Sequence, residues 1–449
     1  MRLSVIGCGY LGAVHAACMA QLGHEVVGLE VDAAKAASLA AGRAPFHEPG
    51  FDELLGEALE TGRLSFTTDP DAIADARVHF ICVGTPQQEG RYAADLRYVE
   101  AAVETLLPRL RAHGDGPTIV VGKSTVPVGT AEEIAARFAA EAPDAGATLV
   151  WNPEFLREGF AIQDTLSPDR IVYGLPSEAG VPTAAGEAAG AVLDEVYADQ
   201  LVRQQIPRLV TDYATAQLVK VAANSFLATK ISFINAMAEL CEATGADVTQ
   251  LAAAIGHDDR IGPKFLRAGV GFGGGCLPKD IRAFMARAGE LGVDQALTFL
   301  REVDAINTRR REHVVELART ACGGNLGGAR VAVLGAAFKP DSDDLRDSPA
   351  LDVASRIAGL GATVVVTDPA ALDNVHRTRS DLHVAEDPFE AARGADVVLL
   401  LTEWRQYVSL DPVAFGAVVR SRHIVDGRNA LDPTAWRAAG WTYVGLGRP

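Results

Sequence analysis

The chain has 449 residues, 48% hydrophobic and 22% charged, with a formal net charge of −17. That length exceeds what one hydrophobic core serves, so two or three domains of a soluble globular protein are expected. The acidic balance, with no long Lys/Arg runs, argues against nucleic acid or an anionic membrane as the main partner. A phosphate-bearing small molecule stays open, because a few cations and backbone amides suffice to bind it.

Six cysteines (Cys8, Cys18, Cys82, Cys241, Cys276, Cys322) are scattered without a CxxC pair. This usage fits a reducing cytoplasm better than secretion. Arg2 and the apolar stretch to Ala20 resemble a signal peptide, but Gly7, Gly9 and Gly12 interrupt it at a meaningful spacing. No apolar run approaches the length of a membrane span.

In chain order, the β-rich run Arg2 to Ile6 leads into Gly7-Cys8-Gly9-Tyr10-Leu11-Gly12. A helical segment, 13–22, closed by Gly23, precedes a second buried strand from Glu25 to Glu30. Strand, glycine loop, helix and strand make a βαβ unit, which implies a parallel sheet covered by helices on both faces. Further strands are expected at 78–83, 118–121 and 148–151, giving a first domain over 1–205. From Leu209 to Thr244 there is no Pro or Gly and apolar residues recur at helical spacing, so one long helix is predicted. Such a helix cannot bury itself alone. It is expected to join the two halves and to offer a dimer surface. More helix to about Thr320 completes a central domain, 206–322. Gly323 to Gly328 reads as a linker, after which Arg330 to Leu334 and Gly335-Ala336-Ala337-Phe338 repeat the opening pattern. A helix at 350–360, a strand at 363–367 ending on Asp368, and strands at 397–401 and 423–426 fill a third domain, 323–449. The fold class is α/β, with two Rossmann-like parallel-sheet domains joined by a long central helix.

In a GxGxxG loop the first glycine makes the tight turn. The second admits the pyrophosphate, and the third lets helix pack closely on strand. Gly7, Gly9 and Gly12 stand in that order between a strand and a helix, and Glu30 lies at the tip of the next strand. A carboxylate there accepts from both ribose hydroxyls and repels a 2′-phosphate, favouring NAD over NADP. Asp32 competes for that role.

The segment Gly271-Phe272-Gly273-Gly274-Gly275-Cys276-Leu277-Pro278-Lys279-Asp280 carries the most chemistry. A lone cysteine is ordinarily a small core residue. The glycine-rich surround reverses that expectation for Cys276. Pro278 suits the first turn of a helix, which puts Cys276 at an end that stabilises a thiolate, with Asp280 one turn on. Lys220 and Asn224 share an i,i+4 spacing on the long helix, as do Glu154 and Glu158 after a strand end. Snorkelling or solvated-helix roles remain open for both pairs. No His/Cys/Asp cluster has metal-ligand spacing, so no metal is expected, and no Ser-His-Asp arrangement is supported.

With Gly7 to Gly12, Thr85-Pro86, Lys123-Ser124-Thr125-Val126-Pro127, Pro153 to Glu158, Lys220, Asn224, Arg260 to Asp280, Phe338-Lys339, Arg346 and Asp426-Gly427-Arg428, the chain resembles the UDP-glucose 6-dehydrogenase family, within the wider UDP-glucose/GDP-mannose dehydrogenases. The resemblance runs nearly end to end. It implies two successive NAD-dependent oxidations, alcohol to aldehyde to acid, in which Cys276 holds the aldehyde as a thiohemiacetal and then a thioester. It further implies that Lys220 and Asn224 stabilise the reacting oxygen, that Asp280 and Thr125 position water or move protons, and that Glu154 is a base for hydrolysis. By the same resemblance the cofactor meets Gly7, Gly9, Tyr10, Leu11, Gly12, Glu30, Lys35, Thr85, Thr125, Glu158, Lys279 and Arg346. A UDP-sugar meets Glu154, Phe155, Leu156, Arg157, Lys220 and Asn224. Phe265, Leu266, Arg267, Ala268 and Gly269 form a further substrate loop, joined by Gly273, Lys339 and Arg428. Arg260 corresponds to a substrate arginine supplied across a homodimer interface. One departure is visible: the residue before the nucleophile is commonly Ser, and here it is Gly275. Rival readings are a relative acting on GDP-mannose or a UDP-N-acetylhexosamine, a simple two-electron dehydrogenase, and an NAD-binding module without turnover. Arg260-Ile261-Gly262 and Asp426-Gly427-Arg428 look more like the UDP-glucose branch.

Overall fold

Short Val/Ile/Leu runs without polar alternation make strands covered on both faces, and two sheets are built from them. The computed structural model describes residues 1–112 and 116–449. The chain divides into two units, 1–223 with 282–291, and 224–281 with 292–449.

The sheet of the first unit contains β1 (Arg2–Ile6), β2 (Glu25–Leu29), β3 (Leu64–Thr67), β4 (Val78–Ile81), β5 (Thr118–Gly122), β6 (Ala147–Trp151) and β7 (Ile171–Gly174). A two-stranded ribbon, β8 (Ser177–Glu178) and β9 (Val181–Pro182), stands apart, and β10 (Arg208–Thr211) returns to the main sheet. The spatial order is β10-β7-β6-β5-β4-β1-β2-β3. From β3 to β6 all pairings are parallel. Strand β7 turns antiparallel to β6, and β10 runs parallel to β7. The order reverses between β1 and β4, so the glycine loop after β1 opens at the switch point where such sheets bind ligands.

The second unit repeats this plan with β11 (Arg330–Leu334), β12 (Thr363–Thr367), β13 (His383–Val384), β14 (Val397–Leu400), β15 (His423–Asp426) and β16 (Thr442–Gly445). Their order is β13-β12-β11-β14-β15-β16, all parallel. Its core packs Val331, Val333, Leu399, Val425 and their neighbours around a Phe415, Trp436 and Trp441 cluster.

One expectation is corrected at the start of the long helix. It begins at Tyr213, not at Leu209, and runs for 32 residues to Thr244, about 48 Å. Residues 208–211 instead pair with the free edge of β7. Asp212 stops the strand and starts the helix, accepting the Thr215 N–H at 2.7 Å. The first sheet therefore reaches past residue 205. Among the described residues no helix is long and apolar enough to cross a membrane.

Near its end the long helix presents Glu242, which accepts from buried Arg310 (2.9 Å), from His313 (3.1 Å) and from the Gly447 N–H (2.9 Å). Burial alone would raise its carboxyl, but these donors and charges outweigh it and bring it down to about 2. A depressed carboxyl adds stability above the ordinary carboxylate range and loses it as pH falls towards 2. We therefore expect Glu242→Gln to cost roughly 2 kcal/mol at pH 7, with the difference from wild type shrinking steadily below pH 4. Urea titrations at both pH values measure this; an equal deficit at pH 7 and pH 2.5 would contradict it.

Candidate active site

The glycine loop meets each requirement of a dinucleotide cradle. Gly7 has φ +86°, and a Cβ there would lie 2.7 Å from the Val83 side chain. A Cβ on Gly12 would fall 1.9 Å from the Gly7 carbonyl oxygen, so helix and strand could not close with any other residue. Gly9 has nothing within 4 Å of its would-be Cβ, leaving the approach to the backbone open. It precedes the helix Tyr10–Gln21, whose first-turn amides have no side-chain cap and so suit a phosphate. Glu30 is buried and accepts from the Cys8 N–H (3.1 Å) and the Asp32 N–H (3.0 Å), one on each oxygen. Lone pairs remain for ribose hydroxyls. Asp32 caps the next helix, accepting from the Ala34 and Lys35 N–H groups on one oxygen. The side chain of Lys35 is exposed beside this tip. Tyr10 donates to Glu48, whose carboxylate also takes the Gly159 (2.6 Å) and Ala161 (2.7 Å) amides. The hydroxyl of Tyr10 is pushed far up by burial and by Glu48, so it stays a donor.

Further along the carboxyl edge, the Thr85 hydroxyl donates to the Thr125 carbonyl at 2.7 Å, tying the ends of two neighbouring connections. After β6 the chain runs Asn152-Pro153-Glu154 without helix. The i,i+4 spacing of Glu154 and Glu158 therefore does not lie on a helix: Glu154 turns back to take the Leu156 N–H at 2.6 Å. Lys220 is buried and lies 2.8 Å from Glu154 Oε1. Burial opposes ionisation of Glu154, but Lys220 and the Leu156 amide prevail and hold its carboxyl below the usual range. The Lys220 ammonium also sits 5.7 Å from the Phe155 ring centre. Arg157 is turned to Asp164 at 2.6 Å, and Glu158 is half-buried near Tyr10.

In the second unit, Cys276 is exposed and immediately precedes the helix Leu277–Glu290, its carbonyl accepting from the Asp280 N–H at 3.0 Å. That position favours negative charge on sulfur. Buried Asp280 accepts from Asn224 Nδ2 at 2.6 Å and pairs with Lys279. Asn224, Lys279 and Asp280 thus form one network at the helix that follows Cys276. The other cysteines are free thiols, and Cys8, Cys18, Cys82 and Cys241 are buried. Burial pushes the Cys18 and Cys82 thiols up to about 12, which makes them inert.

The glycines before Cys276 lie against neighbours that leave no room for side chains. A Cβ on Gly271 would meet Asn307 at 2.3 Å, on Gly273 the Asp347 carbonyl at 2.3 Å, and on Gly275 the Arg346 guanidinium at 2.2 Å. Asn307 brackets Phe272, accepting from its N–H (2.8 Å) and donating to its carbonyl (3.0 Å), and Arg311 donates to that carbonyl too (3.0 Å). Arg428 donates to the carbonyls of Leu401 (2.7 Å), Gly271 (3.1 Å) and Phe338 (2.9 Å), which commits most of its guanidinium to the protein. Lys339 lies over the Phe338 ring. The loop 265–269 is held by the Gly269 N–H to Asn235 (2.8 Å), with Leu266 and Ala268 buried and Phe265 and Arg267 exposed. Arg260 is 89% exposed and paired with Asp258. Sequence reasoning missed Glu48, Asn235, Asn307, Arg311 and Asp344. Only the i,i+4 spacing of Asn307 and Arg311 on a helix could have pointed to them.

The second unit has its own switch point after β11, but it is filled. Asp368 accepts from the Ala336, Ala337, Ala370 and Ala371 amides and from Trp404 Nε1, at 2.7–3.1 Å. A carboxylate of the chain thus occupies the amides that a pyrophosphate would need, whereas the first-turn amides of the helix after Gly9 have no such occupant among the described hydrogen bonds. Among the described residues no group of three or more His, Cys, Asp or Glu could hold a metal ion. We expect Gly9→Val, whose Cβ meets no protein atom, to weaken NAD binding more than about ten-fold at unchanged melting temperature. Glu30→Gln should weaken it less. Calorimetric titration of NAD tests both; unchanged affinity in Gly9→Val would refute the cradle.

Comparison with known proteins agrees with this geometry. Residues 1–200 match the NAD binding domain of the UDP-glucose/GDP-mannose dehydrogenase family, 214–309 its central domain and 332–433 its UDP binding domain. A UDP-glucose 6-dehydrogenase of Rhizobium meliloti is 41% identical over the full length of both chains. The solved UDP-glucose dehydrogenase of the hyperthermophilic archaeon Pyrobaculum islandicum is 39% identical with a TM-score of 0.87, covering 100% of this chain and 98% of that one. A UDP-D-ManNAc dehydrogenase of Pyrococcus horikoshii is 26% identical with a TM-score of 0.84, covering 100% and 99%. The cradle, the exposed cysteine at a helix head and these matches along the whole chain make it a member of the UDP-glucose/GDP-mannose dehydrogenase family.

Proposed function

We propose that the chain is a cytoplasmic enzyme that oxidises UDP-glucose to UDP-glucuronate with two molecules of NAD, using Cys276 as nucleophile. The observation that carries this reading is the exposed Cys276 at the head of its helix, with the Asn224–Asp280–Lys279 network one turn on. NAD, when bound, accepts a hydride from the sugar C6 in each of the two oxidations. In the first, the C6 hydroxyl proton leaves through Asp280 and Thr125 by way of water, giving the aldehyde. The Cys276 thiolate adds to the aldehyde carbon, and its oxygen takes the negative charge of a thiohemiacetal, stabilised by the Lys220 ammonium and the Asn224 amide. Loss of the second hydride from that carbon forms the thioester. Glu154, kept as a carboxylate by Lys220, takes a proton from water, which attacks the thioester carbonyl. The C–S bond breaks and Cys276 leaves as thiolate.

The cofactor residues we assign are Gly7, Gly9, Tyr10, Leu11, Gly12, Glu30, Lys35, Thr85, Thr125, Glu158, Lys279 and Arg346. The UDP-sugar is assigned to Glu154–Arg157, Lys220, Asn224, Phe265–Gly269, Gly273 and Lys339. Arg428, with its donors on three carbonyls, acts mainly by shaping that site. UDP-glucose is preferred over an N-acetylhexosamine substrate because the relatives near 40% identity carry the UDP-glucose name, against 26% for the ManNAc enzyme.

We further infer a homodimer. Phe226, Phe233 and Leu240 recur every seven residues on the long helix and are 68%, 49% and 58% exposed. A seven-residue apolar repeat stays on one helix face and suits pairing with the same stripe of a second copy. Arg260, exposed nearby in sequence, is then available to the partner's substrate.

Wild type should release two NADH per UDP-glucose and form the acid, whereas Cys276→Ala should form none. One NADH per sugar, or acid from Cys276→Ala, would sink the mechanism; a GDP-mannose or UDP-N-acetylhexosamine turned over faster would sink the substrate. For the dimer, Phe226→Glu with Phe233→Glu should halve the mass seen by light scattering, and an unchanged mass would overturn it.

A further inference from the structure

Beneath the Glu154–Lys220 pair lies a second buried ammonium to which nothing above gives a task. Lys123 follows β5 directly and is buried. Its Nζ donates to Asn152 Oδ1 at 3.0 Å and to the Tyr197 hydroxyl at 3.4 Å. Tyr197 in turn donates to Asn152 Oδ1 at 2.8 Å, and Asn152 Nδ2 donates to the Val172 carbonyl at 2.9 Å. Asn152 and Tyr197 are buried as well. The hydrogen-bonding oxygens around Lys123 are thus neutral, and a buried cation in such a place is costly unless a counter-charge acts on it. That charge is two residues beyond Asn152, on Glu154.

We propose that Lys123 is a positioning residue for Glu154: it fixes the Asn152-Pro153-Glu154 turn from beneath and supplies a second positive charge acting on the Glu154 carboxylate. The inference rests on the assignment of Glu154 as the hydrolytic base. Geometry gives the first half. Asn152 is locked by Lys123, Tyr197 and Val172, and Pro153 leaves the link to Glu154 little freedom. The second half follows from the charges around Glu154: Lys220 on the long helix, Lys123 after β5, and the Cys82 thiol after β4. Around Lys123 stand Glu154, Lys220, Cys82, the Tyr197 hydroxyl and His15. Burial lowers Lys123, while Cys82 and Glu154 raise it against that and Lys220 lowers it further. Lys123 contributes to holding Glu154 below its ordinary range, after the larger effect of Lys220. Lys220 is also the cation assigned to the reacting oxygen, so the two lysines around Glu154 have separate tasks. With two, the carboxylate stays anionic even when Lys220 turns towards the reacting oxygen.

The test compares Lys123→Met, Lys123→Arg, Tyr197→Phe and Glu154→Gln in the full-length enzyme by rapid-quench analysis of NADH and thioester. Lys123→Met should slow thioester hydrolysis about ten-fold or more while KM for NAD moves less than about two-fold. Because the lost charge lets the Glu154 carboxyl rise, the acid limb of the hydrolysis rate should move to higher pH. Lys123→Arg should restore that limb in part. Adding Lys123→Met to Glu154→Gln should slow hydrolysis no further, since both act through one group. A wild-type acid limb in Lys123→Met, or effects that multiply in the double variant, would overturn the proposal. If Lys123→Met does not fold, Tyr197→Phe carries the test: a smaller shift of the same limb supports the proposal and none overturns it. Unimpaired hydrolysis in Glu154→Gln would instead reject the role of Glu154, a separate outcome.

Discussion

The backbone from Gly271 to Gly275 carries only one side chain, so its path to Cys276 has to be imposed from outside. Asn307 and Arg311, one turn apart on the helix Thr298–Ala321, grip Phe272 by its N–H and carbonyl. Arg428 reaches the Gly271 carbonyl from the end of β15, and Asp344 takes the Gly275 N–H at 3.2 Å. Each glycine is packed so tightly that an added methyl would strike a neighbour: Asn307 at Gly271, Asp347 at Gly273, Phe338 at Gly274 and Arg346 at Gly275. A loop fixed in this way loses little further entropy on binding. It presents the sulfur in one place, as the proposed capture of an aldehyde by Cys276 requires. The cost is borne by polar groups on three other elements, of which Asn307 and Arg311 are buried.

The two βαβ units show how similar backbones reach opposite outcomes through one carboxylate. In the first, Glu30 stands at the tip of β2 and takes one amide on each oxygen, leaving the loop's remaining N–H groups open. In the second, Asp368 follows β12 directly and is one carbon shorter. It draws in the amides of the loop and of the next turn together with Trp404 Nε1. The glycine pattern matters less than where the resident charge falls. Gly335, with φ +107°, makes the same turn as Gly7, yet Ala336 and Ala337 follow it and their amides are already satisfied.

Much of this was legible in the sequence because it is local. A glycine loop between a strand and a helix, Pro278 after a cysteine, and an unbroken apolar period from 213 to 244 each carry their structure within a few residues. Where the reading failed, the deciding interaction was long-range. Leu209 and Val210 fit a helical period as well as a strand, and only the free edge of β7 decides between them. Glu154 and Glu158 share a helical spacing, but the chain there is not helical and Glu154 turns back onto the Leu156 amide. Asn235, Asn307, Arg311 and Asp344 carry no signature, because a residue that holds a distant carbonyl or amide looks like any polar residue on a helix or loop.

The one departure from the family pattern, Gly275, gains a physical reason from its neighbour. Loss of the usual serine hydroxyl is the change visible in the sequence. The structure adds that the guanidinium of Arg346 lies where a side chain would begin, 2.2 Å from the would-be Cβ. Asp344 ties the two together, taking the Gly275 N–H and gripping Arg346 through Nε and Nη2. The same Asp-x-Arg clamp recurs at Asp95–Arg97 and Asp258–Arg260, and in all three the arginine is exposed while its aspartate is more buried. Such exposed pairs add little to stability; what they fix is direction. At Arg346 that direction brings a permanent positive charge onto the residue before Cys276. A serine there would have to displace it. Glycine at 275 therefore leaves room for that guanidinium beside the backbone that leads to Cys276.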